Sequence, residues 1–359
     1  MNTRYSATRE QLAELLDAQG APKYRAAQLY DGLWTQRAPL ETLTTLPKAL
    51  RAQLADALPL ALAPLTEQTS SDGATSKWLW RTHDGAQVET VLMLSAERAT
   101  VCVSSQAGCA MGCTFCATGQ AGFERHLDAG EIVEQVVRAQ HATAARVSHV
   151  VFMGMGEPLA NVDNVCAALE RLHDDLGLSA RHLTVSTVGV VPGMLRLAQH
   201  QLPVTLAVSL HAPDDELRET LVPLNRRYPI AAVLDAAREY AAIKGRRVTF
   251  EYACIAGVND RPDQADLLAR RLKGLRGGAH VNLIPLNPTG DFAGTPPDRE
   301  RINRFAAHLA AAGVTVTVRR NRGVDIDAAC GQLRARAARE QGRNTPGAAV
   351  GGESATMVP

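Results

Sequence analysis

Strand-like and helix-like segments alternate along most of the chain, and this alternation is the feature that most constrains its fold. Short apolar runs typical of buried strands occur at 100–104, 148–153, 183–187, 204–210, 248–255, 281–285 and 314–319. Segments with apolar residues at helical spacing lie between them, among them 129–141, 162–174, 231–243, 262–272 and 299–312. Such alternation predicts parallel β/α units. We therefore expect an α/β fold, a partial (β/α)6 barrel whose loops at the carboxyl ends of the strands carry the functional site.

The segment before the alternating part has a different pattern. Thr8 and Gln11 resemble a capping box at the start of a helix, and further helical patterns run to about residue 60. Residues 66–76 are polar and indicate a linker, whereas Asp84 and Gly85 are typical of a tight hairpin turn. We predict a helical accessory domain, a linker with a β-hairpin, a barrel core that ends in a loop around the C-terminal cysteine Cys330, and a disordered tail. Their boundaries are 1–65, 66–98, 99–337 and 338–359.

Composition excludes several classes of protein. No run approaches the roughly 18 apolar residues of a membrane span, and the first residues lack the apolar segment of a secretion signal. Seven cysteines, an odd number, argue against a disulfide scaffold and for metal-binding or catalytic thiols. The net charge of +1 means that any contact with nucleic acid must use local basic patches. We expect a cytoplasmic monomer with no membrane association.

Three of the cysteines form a compact motif directly after the first predicted barrel strand. Cys109, Cys113 and Cys116 have the spacing CxxxCxxC. A cubane iron-sulfur cluster usually takes four thiolates, so a loop that offers three leaves one iron open to a substrate or cofactor. A structural zinc site is the alternative, but it usually needs a fourth Cys or His, and His126 is the only imidazole nearby.

The CxxxCxxC motif at the end of a barrel strand resembles the signature of the radical S-adenosylmethionine (SAM) superfamily. The order of parts from about residue 6 to 332 is similar to one branch, the adenine-C2 methyltransferases of 23S rRNA and tRNA with their C8-methylating resistance relatives. This resemblance implies one 4Fe-4S cluster per chain, whose open iron binds the amino and carboxylate groups of SAM. It implies that an electron from the cluster then breaks the sulfonium bond and gives a 5'-deoxyadenosyl radical. It also implies 23S rRNA and tRNA as partners and an electron donor such as flavodoxin.

The resemblance further implies a set of SAM contacts. Gly156 and Glu157, in the run Gly-Met-Gly-Glu-Pro, would lie against the methionine end of SAM, because glycine permits close approach and a carboxylate suits an ammonium group. On residues alone this run could be a plain strand-to-helix turn, and a lone Ser or Asn at a strand end could cap a helix. The remaining implied contacts are Ser186, Ser209, Leu210, His211 and Asn287.

Three more residues acquire a catalytic role through the resemblance. Cys330 would take a methyl group from one SAM, and the radical made from a second SAM would remove a hydrogen from that methyl. The resulting carbon radical adds to C2 of adenine. Cys102 would release the product by forming a transient disulfide with Cys330, and Glu89 would accept the C2 proton. On residues alone, Cys102 could be a small buried hydrophobe and Glu89 a solvated surface charge.

Basic residues flank Cys330 and indicate an RNA contact, although such a charge run is usually a solvated face. They are Arg319, Arg320, Arg322, Arg334, Arg336, Arg339 and Arg343. Three alternatives stay open on the sequence. The methyl could go to C8, the cluster could belong to an activase or sulfur-inserting radical SAM enzyme, or the chain could be a non-enzymatic, zinc-stabilised RNA-binding module.

Overall fold

The computed structural model describes residues 3–275, 277–287, 289, 292–319 and 326. Three helices occupy the start of the chain, as the sequence predicts: α1 (Arg9–Ala18), α2 (Tyr24–Tyr30) and α3 (Lys48–Ala57). The capping box forms, since Thr8 accepts a hydrogen bond from the backbone of Gln11 and the Gln11 side chain accepts one from the backbone of Thr8. A π-helical turn, Asp31–Thr35, follows α2 and buries Trp34 against Tyr5, with the rings 5.6 Å apart and perpendicular.

Three antiparallel strands follow these helices: β1 (Leu62–Thr69), β2 (Thr75–Thr82) and β3 (Gln87–Leu94). The predicted hairpin between β2 and β3 is confirmed, and Gly85 takes the positive φ of 90° that its turn requires. The predicted linker at 66–76 was wrong at both ends, because residues 66–69 belong to β1 and residues 75–76 to β2, and only residues 70–74 connect the two strands. β1 is an edge strand with mostly exposed side chains, so its sequence lacks the apolar alternation that marks a strand.

The rest of the described chain alternates strands and helices. In chain order the elements are β4 (Ala99–Cys102), β5 (Gln106–Gly108), α4 (Ala117–Gln120), β6 (Phe123–His126), α5 (Ala129–His141), β7 (Val147–Phe152), α6 (Val162–Asp174), β8 (Leu183–Thr187), α7 (Val191–Gln199), β9 (Thr205–Ser209), α8 (Asp215–Leu221), α9 (Ile230–Lys244), β10 (Thr249–Cys254), α10 (Pro262–Arg271), β11 (His280–Pro285), α11 (Arg299–Ala311) and β12 (Thr315–Val318). The barrel strands agree with the predicted ranges to within a residue or two.

One sheet joins the two halves of the described chain. Its strands lie in the order β1-β2-β3-β4-β7-β8-β9-β10-β11-β12, and the pairs from β4 to β12 are all parallel. Parallel strands in chain order, each joined by a right-handed crossover, place their helices on one face of the sheet. This is an α/β fold with a parallel sheet core and a helical and antiparallel N-terminal region, so the predicted fold class is confirmed. The exact domain boundaries stay predictions, and the predicted tail at 338–359 lies outside the described residues.

Strand side chains divide between an outer face that packs on helices and an inner face that carries polar groups. On β10, Tyr252 stacks near Phe305 of α11, with ring centroids 5.3 Å apart. Glu251 points to the opposite, inner face, where its carboxylate accepts a hydrogen bond of 2.8 Å from the Asn282 amide. Among the helices that the structure describes, none has both the length and the apolarity to cross a bilayer.

Candidate active site

The cysteine loop, defined as residues 103–122, begins at the carboxyl end of β4. Cys109 N–H donates to the carbonyl of Gly122 at 2.7 Å, and Cys116 N–H donates to the carbonyl of Cys113 at 3.2 Å. Gly108 has a φ of 72°, and an added Cβ there would collide with the backbone of Gly122. The loop therefore closes on itself through backbone contacts and presents all three thiols from one short segment.

The three thiols of this loop interact with one another. Burial raises the pKa of Cys109 to about 12, and it raises the pKa of Cys113 still more. Negative charge on Cys116 raises the pKa of both other thiols. Without a bound cation Cys109 and Cys113 stay protonated at neutral pH, and a metal that binds them displaces their protons.

Among the described residues, no three His, Cys, Asp or Glu side chains form a group that could hold one metal ion. A mononuclear zinc site binds its ligands at one centre, whereas a cubane binds each thiolate to a different iron. The role of Cys109, Cys113 and Cys116 as cluster ligands stays a prediction.

The Gly-Met-Gly-Glu-Pro turn lies beside this loop. Gly154 N–H donates to the carbonyl of Val103 at 3.0 Å. Gly156 has a φ of 99°, and an added Cβ would lie 2.5 Å from Cβ of Gln106. Glycine is thus required at both positions by the close approach of the cysteine loop.

Glu157 is buried and bonded to backbone on both sides. One carboxylate oxygen accepts from Leu159 N–H at 2.9 Å and the other from Val188 N–H at 2.8 Å. Burial raises the pKa of this carboxyl to about 7. Glu157 therefore joins the turn to the segment after β8, where the Thr187 side chain is a third hydrogen-bond partner of its carboxylate. Its contact with SAM stays a prediction.

The ends of β8 and β9 bring three more of the predicted SAM residues together. The hydroxyls of Ser186 and Ser209 are 3.4 Å apart. His211 has the positive φ of 61°, and its Nδ1 accepts a hydrogen bond of 3.0 Å from Ala253 N–H. Burial lowers the pKa of His211 to about 3, so the ring is neutral and its proton is on Nε2.

The same segment touches the cysteine loop through an aromatic contact. The His211 ring meets the Phe115 ring edge to face, with centroids 4.8 Å apart. Leu210, which precedes His211 in the chain, is buried, and its N–H donates to the carbonyl of Glu251 at 3.0 Å. Asn287, half-buried, follows β11 at the same end of the sheet. The structure thus brings Ser186, Ser209, Leu210 and His211 together at the ends of β8 and β9, and His211 contacts the thiol-bearing loop.

Glu89 and Cys102 lie on the inner face of neighbouring strands. Cys102 is opposite Val91 in the antiparallel pair of β3 and β4, so it shares a face with Glu89, two residues from Val91. Both are buried, and Cys102 carries a free thiol. Cys330, its predicted partner, lies outside the described residues, as do Arg320, Arg322, Arg334, Arg336, Arg339 and Arg343.

Several residues that build the site were missed by the sequence analysis. The Ser104 hydroxyl donates to the carbonyl of Glu89 at 2.6 Å and accepts from Met155 N–H at 2.9 Å. The Gln106 side chain accepts from Glu157 N–H at 2.7 Å. Lys77 is fully buried opposite Val91, on the same face as Glu89. Only the position of Ser104 and Gln106 after a barrel strand could have pointed to them, because their partners are distant in sequence.

Comparison with known proteins matches these features. The model of the radical SAM superfamily matches residues 103–269. The probable dual-specificity RNA methyltransferase RlmN of Parafrankia sp. is 53% identical over 351 residues, covering 91% of this chain and 90% of that protein. The corresponding protein of Salinispora tropica is 54% identical over 335 residues, covering 88% of each chain.

A solved structure agrees in the same way. The crystal structure of a radical SAM methyltransferase from Sphaerobacter thermophilus has a TM-score of 0.87 and 51% sequence identity to this chain. The match covers 92% of this chain and 99% of that one.

Proposed function

Because the chain belongs to the dual-specificity RNA methyltransferases of the radical SAM superfamily, we propose that it methylates C2 of adenine in 23S rRNA and in tRNA. Its substrates follow from the dual RNA specificity for which its relatives are named and from the resemblance of the motifs. The physiological electron donor is a small redox protein such as flavodoxin, and the enzyme acts as a monomer.

The observation that carries this proposal is that the three thiols and the predicted SAM-binding residues lie at the same end of the sheet. Three interacting thiols come from one loop, and the segment with Ser209 and His211 touches that loop through Phe115. Glu89 and Cys102 lie on the inner face that leads to it. This arrangement supports a cluster-and-SAM site with a proton acceptor and a second reactive thiol beside it.

Each residue has a defined task in this proposal. Cys109, Cys113 and Cys116 hold the cluster, and Gly156, Glu157, Ser186, Ser209, Leu210, His211 and Asn287 hold SAM. When bound, the cluster and SAM together supply the methyl group and the carbon radical that ordinary methyl donors cannot give to an electron-poor ring carbon. Neutral His211 keeps its side of the site uncharged, and the buried apolar surroundings of Cys113 exclude water.

Product release uses the chain's own groups. Glu89 accepts the proton from C2, and the adduct radical loses one electron, which the oxidised cluster would take back. The Cys102 thiolate then attacks the sulfur of Cys330 and forms the disulfide. The electron pair of the broken bond between the Cys330 sulfur and the bridging carbon stays on that carbon, which takes up a proton to become the methyl group, and the methylated RNA leaves. An external thiol then reduces the disulfide.

Mass mapping of RNA tests the proposal. We expect 2-methyladenosine in both 23S rRNA and tRNA from a strain that lacks its own enzyme and carries this gene. Unmethylated RNA would refute the function, and 8-methyladenosine would move the reaction to C8.

Two cysteine variants test the mechanism in vitro. We expect Cys330→Ala to lose RNA methylation while SAM is still cleaved to 5'-deoxyadenosine. Cys166→Ala is the matched control, because that thiol lies on α6 and has no place in the proposal; it should methylate normally. Methylation retained by Cys330→Ala would exclude the methyl-cysteine route.

A further inference from the structure

Arg218, on α8, is a fully buried cation that the mechanism above does not use. Its guanidinium donates to the carbonyl of Leu210 at 3.0 Å, to the carbonyl of Ser209 at 3.3 Å, and to the carbonyl of Val188. It also donates to the side-chain oxygen of Asn225 at 2.9 Å. These acceptors are all neutral, and the described residues include no carboxylate in an ion pair with Arg218.

These contacts join the segments that the proposed SAM site uses. Ser209 is the last residue of β9, and Leu210 follows it. Val188 follows β8, and its N–H donates a hydrogen bond to the carboxylate of Glu157. One planar fork of N–H donors therefore fixes the relative positions of two strand ends, which a single-point donor such as lysine cannot do. Removal of the guanidinium would leave the carbonyls of Val188, Ser209 and Leu210 short of a buried partner.

The helix that carries Arg218 is also bonded to the cysteine loop. Thr114 N–H donates to the carbonyl of Leu221 at 3.1 Å, and the Thr114 hydroxyl donates to the carbonyl of Thr220 at 3.4 Å. Leu221 and Val222 pack in one apolar cluster with Cys113. The end of α8 therefore holds the stretch of loop between the second and third cluster cysteines.

The charge of Arg218 persists in this buried position. Burial lowers its pKa to about 10, which still leaves the group protonated at neutral pH. The charges of Arg218 and the Cys113 thiolate act on each other, since each favours the ionised form of its partner. In a site shielded from water such an interaction is stronger than at the surface.

We propose that Arg218 is a positioning residue that locks the ends of β8 and β9 against the cysteine loop, and that its fixed positive charge raises the reduction potential of the cluster. Reduction adds one negative charge to a cluster that is already anionic with three thiolates, so a nearby buried cation stabilises the reduced form. This inference rests on the proposed function, because it takes the loop to hold a cluster and the strand ends to hold SAM.

Two substitutions separate geometry from charge. Arg218→Lys keeps the positive charge but loses the fork of donors, and Arg218→Met removes both. We expect SAM affinity to fall at least about tenfold in both variants, and the midpoint potential to fall only in Arg218→Met. Arg226→Met is the matched control, since Arg226 lies in the next turn with an exposed side chain paired to Glu219; it should keep both values.

The measurements use the full chain after anaerobic reconstitution with iron and sulfide. Equilibrium binding gives the dissociation constant of SAM, and a redox titration followed by electron paramagnetic resonance gives the midpoint potential. Unchanged SAM affinity in Arg218→Lys would overturn the positioning role. A potential in Arg218→Lys that falls although the charge is kept would overturn the electrostatic role, and so would an unchanged potential in Arg218→Met.

If Arg218→Met fails to take up iron, the SAM affinity and the midpoint potential of Arg218→Lys still test the inference. Failure of the inference is also distinct from failure of the proposed function. If the unmodified protein itself binds neither cluster nor SAM, the proposed function is wrong. If it binds both, and the Arg218 variants match it, only the role of Arg218 is wrong.

Discussion

Close backbone approach decides which residues the site accepts at single positions. Gly156 combines a φ of 99° with a neighbour, Gln106, that occupies the place of a side chain. Gly85 has a similar φ of 90°, but no atom lies within 4 Å of an added Cβ. The two glycines therefore share the conformational cost of a substitution and differ in the steric cost.

This pair gives a prediction at the scale of one residue. We expect Gly85→Ala to lower the free energy of unfolding by about 1–2 kcal/mol, the cost of a left-handed conformation with a Cβ. Gly156→Ala should cost about 1–3 kcal/mol more, because the backbone or Gln106 must move. Denaturant unfolding of the two variants measures the difference, and equal losses would contradict the steric argument.

Sequence patterns predict some site residues and not others for a physical reason. Cys109, Cys113 and Cys116 are recognisable because their spacing within one loop is itself the chemical signal. Arg218 and Gln106 act through partners such as Val188 and Glu157, which are 30 and 51 residues away. No local pattern encodes a contact of that kind, so only the fold reveals these residues.

Glu134, on helix α5, stabilises the start of strand β1. Its carboxylate on α5 accepts hydrogen bonds from the backbone of Ala61 at 2.8 Å and Leu62 at 3.1 Å, at the start of β1. β1 was missed in the sequence for want of an apolar pattern, and this anchor is one reason that it forms. Burial raises the pKa of Glu134 from 4.5 to about 7.

A pH dependence follows for this element. Because the folded state keeps a proton that the unfolded state loses, the contribution of Glu134 to stability is complete below about pH 4.5 and declines as the pH rises towards 7. We expect the free energy of unfolding of the unmodified protein to fall over this range relative to Glu134→Gln, which does not titrate.

The comparison needs a control for the other carboxyls of the chain. Glu14→Gln removes an exposed carboxyl on α1 and controls for the loss of one negative charge. A curve for Glu134→Gln that runs parallel to that of the unmodified protein would contradict the prediction, because it would mean that folding does not raise the pKa of Glu134.

Over the whole molecule, the cysteine loop links parts that are far apart in the chain. It starts at β4, and it bonds to the end of α8 through Thr114. A cluster held by this loop binds the folded arrangement and not the unfolded chain, so it should stabilise the entire core by mass action.

We expect reconstitution of the cluster to raise the melting temperature by several degrees, and a chelator to reverse the change. Cys113→Ser, which removes the most buried ligand, should show a smaller rise. Anaerobic thermal unfolding followed by circular dichroism measures this. Equal melting temperatures with and without the cluster would mean that the cluster does not bind preferentially to the folded chain.

The overall architecture was largely predictable because it depends on periodicity. The alternation of buried strands with amphipathic helices such as α5 and α6 indicated the parallel sheet and most of its boundaries. The small β5–β6 pair, whose strands precede and follow the three cysteines, was not predicted. Its pairing of Gln106 with His126 crosses the loop and leaves no repeat in the sequence.

The strand order of the large sheet has a consequence for biosynthesis. Each of its strands pairs with the strand that precedes it in the sheet and in the chain, so the sheet can grow at one edge as the polypeptide leaves the ribosome. β4 and the three cluster cysteines are made early, while α8, which holds their loop, is made about a hundred residues later. A nascent chain therefore exposes the three thiols that we propose as cluster ligands before it can enclose them, which would allow iron-sulfur delivery during translation.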